Sequence, residues 1–333
     1  MNTDRRMSDE EFRLVEDKWV ADVARVQSAW QTPRGRLEAI VGRISSDPPV
    51  AWERIHGGLS GEAHVCVVGD TRLVIRVARM GVPHFEQERW AIAAARGRGV
   101  PAPEVLLVAH EDIDGQIVSF CVERFIAGTP LGALARRRGR DDAFVAAAAR
   151  RAGAILGTLH EVPTAGYGEL RADGRGPLKT WRAFLDERLG PVAPGQPPEV
   201  DRALRMLDEH RDLLDATVSR LVHFDYEPGH ILVDESIGEV TGILDFEDAK
   251  AGDIAYDFAQ WDVVHSGYAP VEQLARGYFA RVPPTGEFAR RRLLGEIHYR
   301  ARQLVRGVPP PGVVAGARRR LDLAIDALMQ LDS

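Results

Sequence analysis

The stretch Leu221-Val222-His223-Phe224-Asp225-Tyr226-Glu227-Pro228-Gly229-His230-Ile231-Leu232-Val233-Asp234 decides how this chain is read, together with Gly242-Ile243-Leu244-Asp245-Phe246-Glu247-Asp248. Short β-branched runs punctuated by Pro-Gly predict a strand at Leu221–Val222, a loop, and a returning strand at His230–Val233. A third strand, Val240–Leu244, ends at Asp245. The expectation is one small β-structure that gathers Asp225, His230 and Asp245 from three chain positions. Two carboxylates and a polar residue five positions after the first suit phosphoryl transfer. One carboxylate would orient and deprotonate an attacking hydroxyl. The other would hold Mg²⁺ against nucleotide phosphates.

The remaining parts of such a site are sought upstream. Gly57-Gly58-Leu59-Ser60-Gly61 falls between two predicted strands, where Gly58, Ser60 and Gly61 let backbone amides approach phosphates. Arg76 lies in the strand Val74-Ile75-Arg76-Val77 and can present a cation to phosphates. Glu88 lies on the next predicted helix, 84–97, where it can pair with that cation. Each signal is weak alone, and their order along the chain carries the argument.

At these residues the chain resembles the aminoglycoside phosphotransferase family, the protein-kinase-like antibiotic kinases. The family pattern His-x-Asp-x-x-x-x-Asn reads here His223-Phe224-Asp225…His230, Ile-Asp-Trp/Phe reads Leu244-Asp245-Phe246, and Gly-Asp-x-x-x-Asp reads Gly252-Asp253…Asp257. The likeness runs from about residue 50 to the last helices. It takes in Val100-Pro101-Ala102-Pro103 and the hinge-like Glu123–Leu131. It implies an α+β, protein-kinase-like two-lobe fold: an N-lobe of antiparallel sheet plus helix, and a mostly helical C-lobe.

By that resemblance Asp225 is the catalytic base, and Asp245 is the Mg²⁺ ligand with His230 beside it. Arg76 and Glu88 are the phosphate-positioning pair, and the backbone near Glu123 and Phe125 holds the base of ATP or GTP. Asp253 and Asp257 are expected to brace the catalytic loop, and His223 to hold it by hydrogen bonding. Two positions depart from the pattern. Arg76 stands where the family has lysine, which changes the phosphate-gripping geometry. His230 stands where it has asparagine, and imidazole is a poor ligand for a hard ion. The stretch Gly229–Asp234 is close to the macrolide phosphotransferases, whereas Tyr167-Gly168 through Phe184 resembles the hygromycin B phosphotransferases.

Composition bounds the rest. The 333 residues carry 43 basic and 49 acidic side chains, a net charge of −6, with ordinary hydrophobic content. That length allows two domains or one large one, and the change from strand-rich to helical sequence near residue 130, with the resemblance, implies an N-terminal nucleotide-binding lobe over 1–125, with a helical extension over 1–48, and a C-terminal catalytic and substrate-binding lobe over 126–333. The absence of a basic stripe argues against nucleic acid. No apolar run suits a membrane span, and no apolar signal core follows Met1–Arg6, so a cytoplasmic chain is expected. Cys66 and Cys121 read as buried free thiols. The chain is expected to act as a monomer or a homodimer.

The expected acceptor is the hydroxyl of an antibiotic. Glu227, Glu247, Asp248, Asp257 and Asp262 would draw a polycationic aminoglycoside or aminocyclitol. Trp181, Trp261 and Tyr299 would line a macrolide pocket, or else sit in the core. Two rival readings stay open: a metabolic kinase of a sugar, choline-like or aminocyclitol substrate, and a nucleotide-binding pseudokinase. Only seven residues separate Asp245 from Asp253, which leaves no room for a protein kinase's activation segment.

Overall fold

Alternating apolar residues in Gly61–Val68 and Thr71–Ala78 make two strands that pair antiparallel from Gly61↔Ala78 to Val68↔Thr71. In the computed structural model they are β2 and β3 of a five-stranded sheet. The structure describes residues 31–55, 61–78, 85–113, 115–192, 194–264, 271–306 and 311–332. The sheet also contains β1 (Ala51–Ile55), β4 (Val105–Ile113) and β5 (Gln116–Arg124), in the order β1-β2-β3-β5-β4. Strand β5 is buried from Val118 to Glu123, so it shows an apolar run rather than an alternation. Helix α1 (Arg34–Val41) lays Leu37, Ile40 and Val41 into the core formed by Cys66, Ile75, Phe120 and Val122. Both cysteines are buried and unbridged.

By its packing the chain divides into two units. One comprises Met1–Glu86 with Glu104–Phe125, and the other Gln87–Pro103 with Ile126–Ser333. Helix α2 (Phe85–Arg96) therefore belongs almost wholly to the second unit. There, the indole of Trp90 closes over Gly174, and Pro101 accepts a backbone hydrogen bond from Ile243.

The second unit is mostly helical. Its helices begin where polar caps precede apolar runs. Asp142 accepts from the N–H groups of Phe144 and Val145 at the start of α4 (Ala143–Leu159). Thr180 caps α5 (Trp181–Leu189), and Thr285 caps the long helix Gly286–Val305. The run expected to be helical from 199 to 219 is two helices, α6 (Pro198–Glu209) and α7 (Arg211–Asp215). The break is His210, which leaves helical geometry with its ring against Asp332. Sequence periodicity also misses α3 (Leu131–Arg138), which is short and ends in three arginines, and α8 (Ala255–Val264). Residues Ala255, Tyr256, Asp257, Phe258, Ala259 and Trp261 are all buried, so this second helix has no polar face to mark a period.

The three motif strands do not form one sheet. Strand β8 (Arg220–Val222) pairs with β11 (Lys250–Gly252), which in turn pairs with β7 (Gly168–Glu169). Strand β9 (Ile231–Val233) pairs with β10 (Val240–Ile243) and with β6 (Thr129–Pro130). The expected single β-structure is corrected to two three-stranded sheets, with the Asp225 loop as the chain's passage between them.

Helix α4 and α9 (Val271–Phe279) approach closely through two glycines. A Cβ on Gly277 would lie 1.8 Å from the Arg150 carbonyl oxygen, and one on Gly153 1.9 Å from that of Leu274. Backbone cannot yield cheaply there. Gly277→Ala is therefore expected to lower stability by about 1–3 kcal/mol, read as a fall in the denaturant midpoint. Unchanged stability would mean that the two helices can separate freely.

Candidate active site

The His223–Asp225 turn is held from behind. Phe224 has φ 67°, in the left-handed region that a bulky side chain rarely occupies. Asp257 makes that turn possible. Its carboxylate is 1% exposed and accepts from the N–H of His223 at 3.0 Å and of Phe224 at 2.7 Å. His160 donates to the same carboxylate through Nε2 at 2.9 Å, and its other ring nitrogen shares a hydrogen bond with the Tyr278 hydroxyl at 2.9 Å. The Phe224 ring stacks on Tyr256 with centroids 4.7 Å apart.

Asp257 is thus corrected as a substrate-facing candidate. Its burial and its backbone hydrogen bonds make it the brace of the loop. His160 caps α4 and is part of the same brace. Asp253 is also buried, with Arg291 at 3.1 Å and the Ala255 N–H on its carboxylate. His223 is fully buried, and burial above all pushes its imidazole down to about 4. It is neutral at pH 7, and its Nε2 donates to the Leu244 carbonyl at 3.0 Å. The ring ties the Asp225 loop to the strand end that delivers Asp245.

Asp245 is the second non-glycine residue with positive φ among the described residues, at 64°. Both outliers sit inside the chemical motif. Strain of order 1–3 kcal/mol at each persists only where surrounding structure over-determines it.

Asp225, His230 and Asp245 converge, with their ligand atoms all within 4.8 Å of one another. The His230 ring lies among three carboxylates: Asp225 at 3.4 Å, Glu227 at 3.3 Å and Asp245 at 3.5 Å. Burial disfavours its charged form, but Asp245, Asp225 and Glu227 outweigh that and hold its pKa above the ordinary value. Asp225 is pushed the other way from a normal carboxyl. Burial first, then Glu227, Asp245 and Asp248 against the opposing pull of His230, raises it to about 7. Gln260, from α8, donates to Asp225 Oδ1 at 3.0 Å. Sequence reasoning missed this residue, because only the packing of a buried helix brings it to the loop. A carboxylate poised near neutrality and oriented by an amide has the form of a general base.

The other acidic candidates divide. Glu227 faces His230. Asp248 pairs with Lys250 at 3.1 Å, and although burial pushes upward, Lys250 and Arg188 keep its pKa low. Glu247 is half-buried on the 3₁₀ turn after Asp245. The side chain of Asp262 lies outside the described residues. Trp181 and Trp261 are core residues.

In the first unit, Arg76 on β3 reaches the Glu123 carboxylate at 3.5 Å and lies over the Phe85 ring at 5.3 Å. The Glu123 carboxylate also accepts from the Cys121 thiol. The Phe125 N–H is committed to the Arg72 carbonyl. Gly61 starts β2, where a Cβ would lie 2.2 Å from the Val77 oxygen. Gly58 and Ser60 lie outside the described residues. In the second unit, Glu88 is buried on α2.

The model of the phosphotransferase enzyme family matches residues 51–294. Among solved structures, the chain is similar to an aminoglycoside phosphotransferase, APH(4)-Ia, at TM-score 0.69 and 22% identity, over 88% of this chain and 99% of that one. A thermostable mutant of that enzyme is known in a ternary complex with ADP and hygromycin B. The spectinomycin phosphotransferase APH(9)-Ia, in complex with ADP and spectinomycin, is similar at TM-score 0.50 and 12% identity, over 91% of this chain and 99% of that one. At these identities the likeness establishes the kinase-like fold. A short match of 46 residues, 46% identical, joins the chain to the uncharacterized protein YcbJ of Bacillus subtilis. It spans 14% of this chain and 15% of that protein. Among the described residues no helix is long and apolar enough to cross a membrane.

Proposed function

Because the chain belongs to the phosphotransferase enzyme family, we propose that it transfers the γ-phosphoryl group of ATP or GTP to a hydroxyl of a small molecule. The observation that carries this reading is the convergence of Asp225, His230 and Asp245 behind a strained loop, with Asp225 raised to about 7. Asp225 takes the proton of the acceptor hydroxyl as the oxygen attacks, and Gln260 keeps its carboxylate in line. Arg76 and Glu88 are the proposed phosphate-positioning pair. The backbone near Glu123 and the Phe125 carbonyl are the groups proposed to meet the nucleotide base.

The donor set fits Mg²⁺ in part. Asp245 offers the carboxylate oxygens that a hard ion prefers, whereas a His230 ring held toward its protonated form is no ligand. When bound, Mg²⁺ would neutralise charge on the nucleotide phosphates. In this reading the three carboxylates favour the cationic form of His230. His230→Asn removes that cation from beside Asp245, so the half-saturating Mg²⁺ concentration is expected to fall several-fold. Titrating Mg²⁺ against turnover checks it, and a rise would show that the ring itself ligates.

The acceptor readings are an antibiotic of the hygromycin or other aminocyclitol kind, a macrolide, or a metabolic hydroxyl compound. An antibiotic acceptor would make the protein a resistance kinase. The metabolic reading is favoured by two arginines near the catalytic loop, Arg188 and Arg302. The deciding experiment offers aminoglycosides, hygromycins, macrolides and sugar-like alcohols with ATP or GTP, and reads phosphorylated product by mass spectrometry. Nucleotide binding with no product from any acceptor would favour the pseudokinase reading instead.

A further inference from the structure

Arg188 on α5 and Arg302 on α10 (Gly286–Val305) stand beside the catalytic loop and take no part in the chemistry described above. The two helices are locked together here. His298 donates to the Leu185 carbonyl at 2.9 Å, and Arg306 to the Arg188 carbonyl at 3.1 Å. The Arg188 guanidinium lies 4.7 Å from the centroid of the Phe224 ring, the residue before Asp225. Its carboxylate neighbour, Glu169 at 3.6 Å, is already held by Lys250 at 2.8 Å. Arg302 has no carboxylate partner among the described residues, and the Nε atoms of both arginines are buried without a hydrogen-bond acceptor.

Cations crowd together at this spot. Lys250 and Arg188 share Glu169, Lys250 also holds Asp248, and Arg302 adds a further cation close to Arg188. Burial, with Arg188 and Arg306 pressing on it, pushes the Arg302 pKa down. The Tyr299 phenol feels Arg302, Asp225 and Arg188 together, which links the pair to the catalytic carboxylate. Two like charges with unfilled, buried donors cost stability unless an anion completes them. Guanidinium forks match carboxylate and phosphate oxygens. A polycation placed here would be repelled.

We propose that Arg188 and Arg302 form an anion-binding subsite beside the Asp225 loop, and that the phosphorylated molecule presents a carboxylate or phosphate to it. The second half rests on the phosphotransferase reading. The first half stands without it.

The test uses the full chain and follows the arginine Nε–H resonances by NMR, assigned from the spectra of Arg188→Lys and Arg302→Lys. Sodium acetate, inorganic phosphate and methylammonium chloride are titrated separately. The expected result is that acetate, phosphate or both shift the two resonances to saturation, while methylammonium does not. The arm that saturates at lower concentration names the group. Arg302→Gln should raise the half-saturating concentration at least tenfold, and Arg302→Lys, which keeps the charge, should raise it less. Shifts that never saturate, or a half-saturation unchanged in both Arg302→Gln and Arg188→Gln, overturn the proposal. The titration needs no turnover, so a protein that binds the anion yet transfers no phosphate would refute the phosphotransferase reading alone.

Discussion

Asp225→Ala is expected to lose phosphate transfer by about 10²–10⁴-fold while the protein remains folded. Its carboxylate is raised to about 7, and Gln260 fixes its direction. Neither histidine of the loop can take its place: His223 is buried and neutral, and His230 is held toward its protonated form. Turnover in the parent protein should rise with pH through about 7, because the base works in its ionised form. The stability sign runs opposite. The folded-state pKa lies above that of a free carboxyl, so the folded protein binds the proton more tightly than the unfolded chain does. Asp225 therefore weakens the fold increasingly from about pH 4 to 7. Asp225→Asn, which keeps an acceptor for Gln260, should melt at or above the parent's temperature at pH 8 while being inactive. A folded Asp225→Ala protein with near-parental turnover would refute the base assignment.

Asp257→Ala is expected to disable the site without touching it. The carboxylate satisfies the N–H groups of His223 and Phe224 and the His160 ring. Its loss strands three buried donors, each costing about 1–3 kcal/mol. Phe224 would then keep its positive φ without the backbone hydrogen bond that satisfies it, with only its ring packing left. The variant should show a lower melting temperature, and loss of turnover that persists at temperatures where it is fully folded. Asp257→Asn separates geometry from charge: its amide can accept from one backbone N–H but sets a donor against the other. Activity within a few-fold of the parent in folded Asp257→Asn would show that the loop keeps its conformation unaided.

The residue types of the site were legible in the chain. His223, Asp225, His230 and Asp245 stand in one short run, and the turn signals around them predict strands that the structure contains. The lone cysteines, the capped helices and the strand-rich start were legible for the same reason: period and turn chemistry are local properties. Other features left no local trace. The pairing of Leu221–Val222 with Lys250–Gly252, rather than with the strand that follows the loop, joins segments some thirty residues apart in sequence. Helix Ala255–Val264 is buried from Ala255 to Ala259 and again at Trp261, so those residues show no amphipathic period, which hid Gln260.

Sequence alone determined which groups are available for phosphate chemistry, and that the chain alternates sheet and helix in a kinase-like order. Tertiary structure decided what those groups can do. Burial raised Asp225, three carboxylates raised His230 against its burial, and a distant aspartate bent Phe224 into a conformation its own side chain disfavours. Such effects depend on which atoms are excluded from water together, and that is set by packing between segments rather than by the order of residues within one.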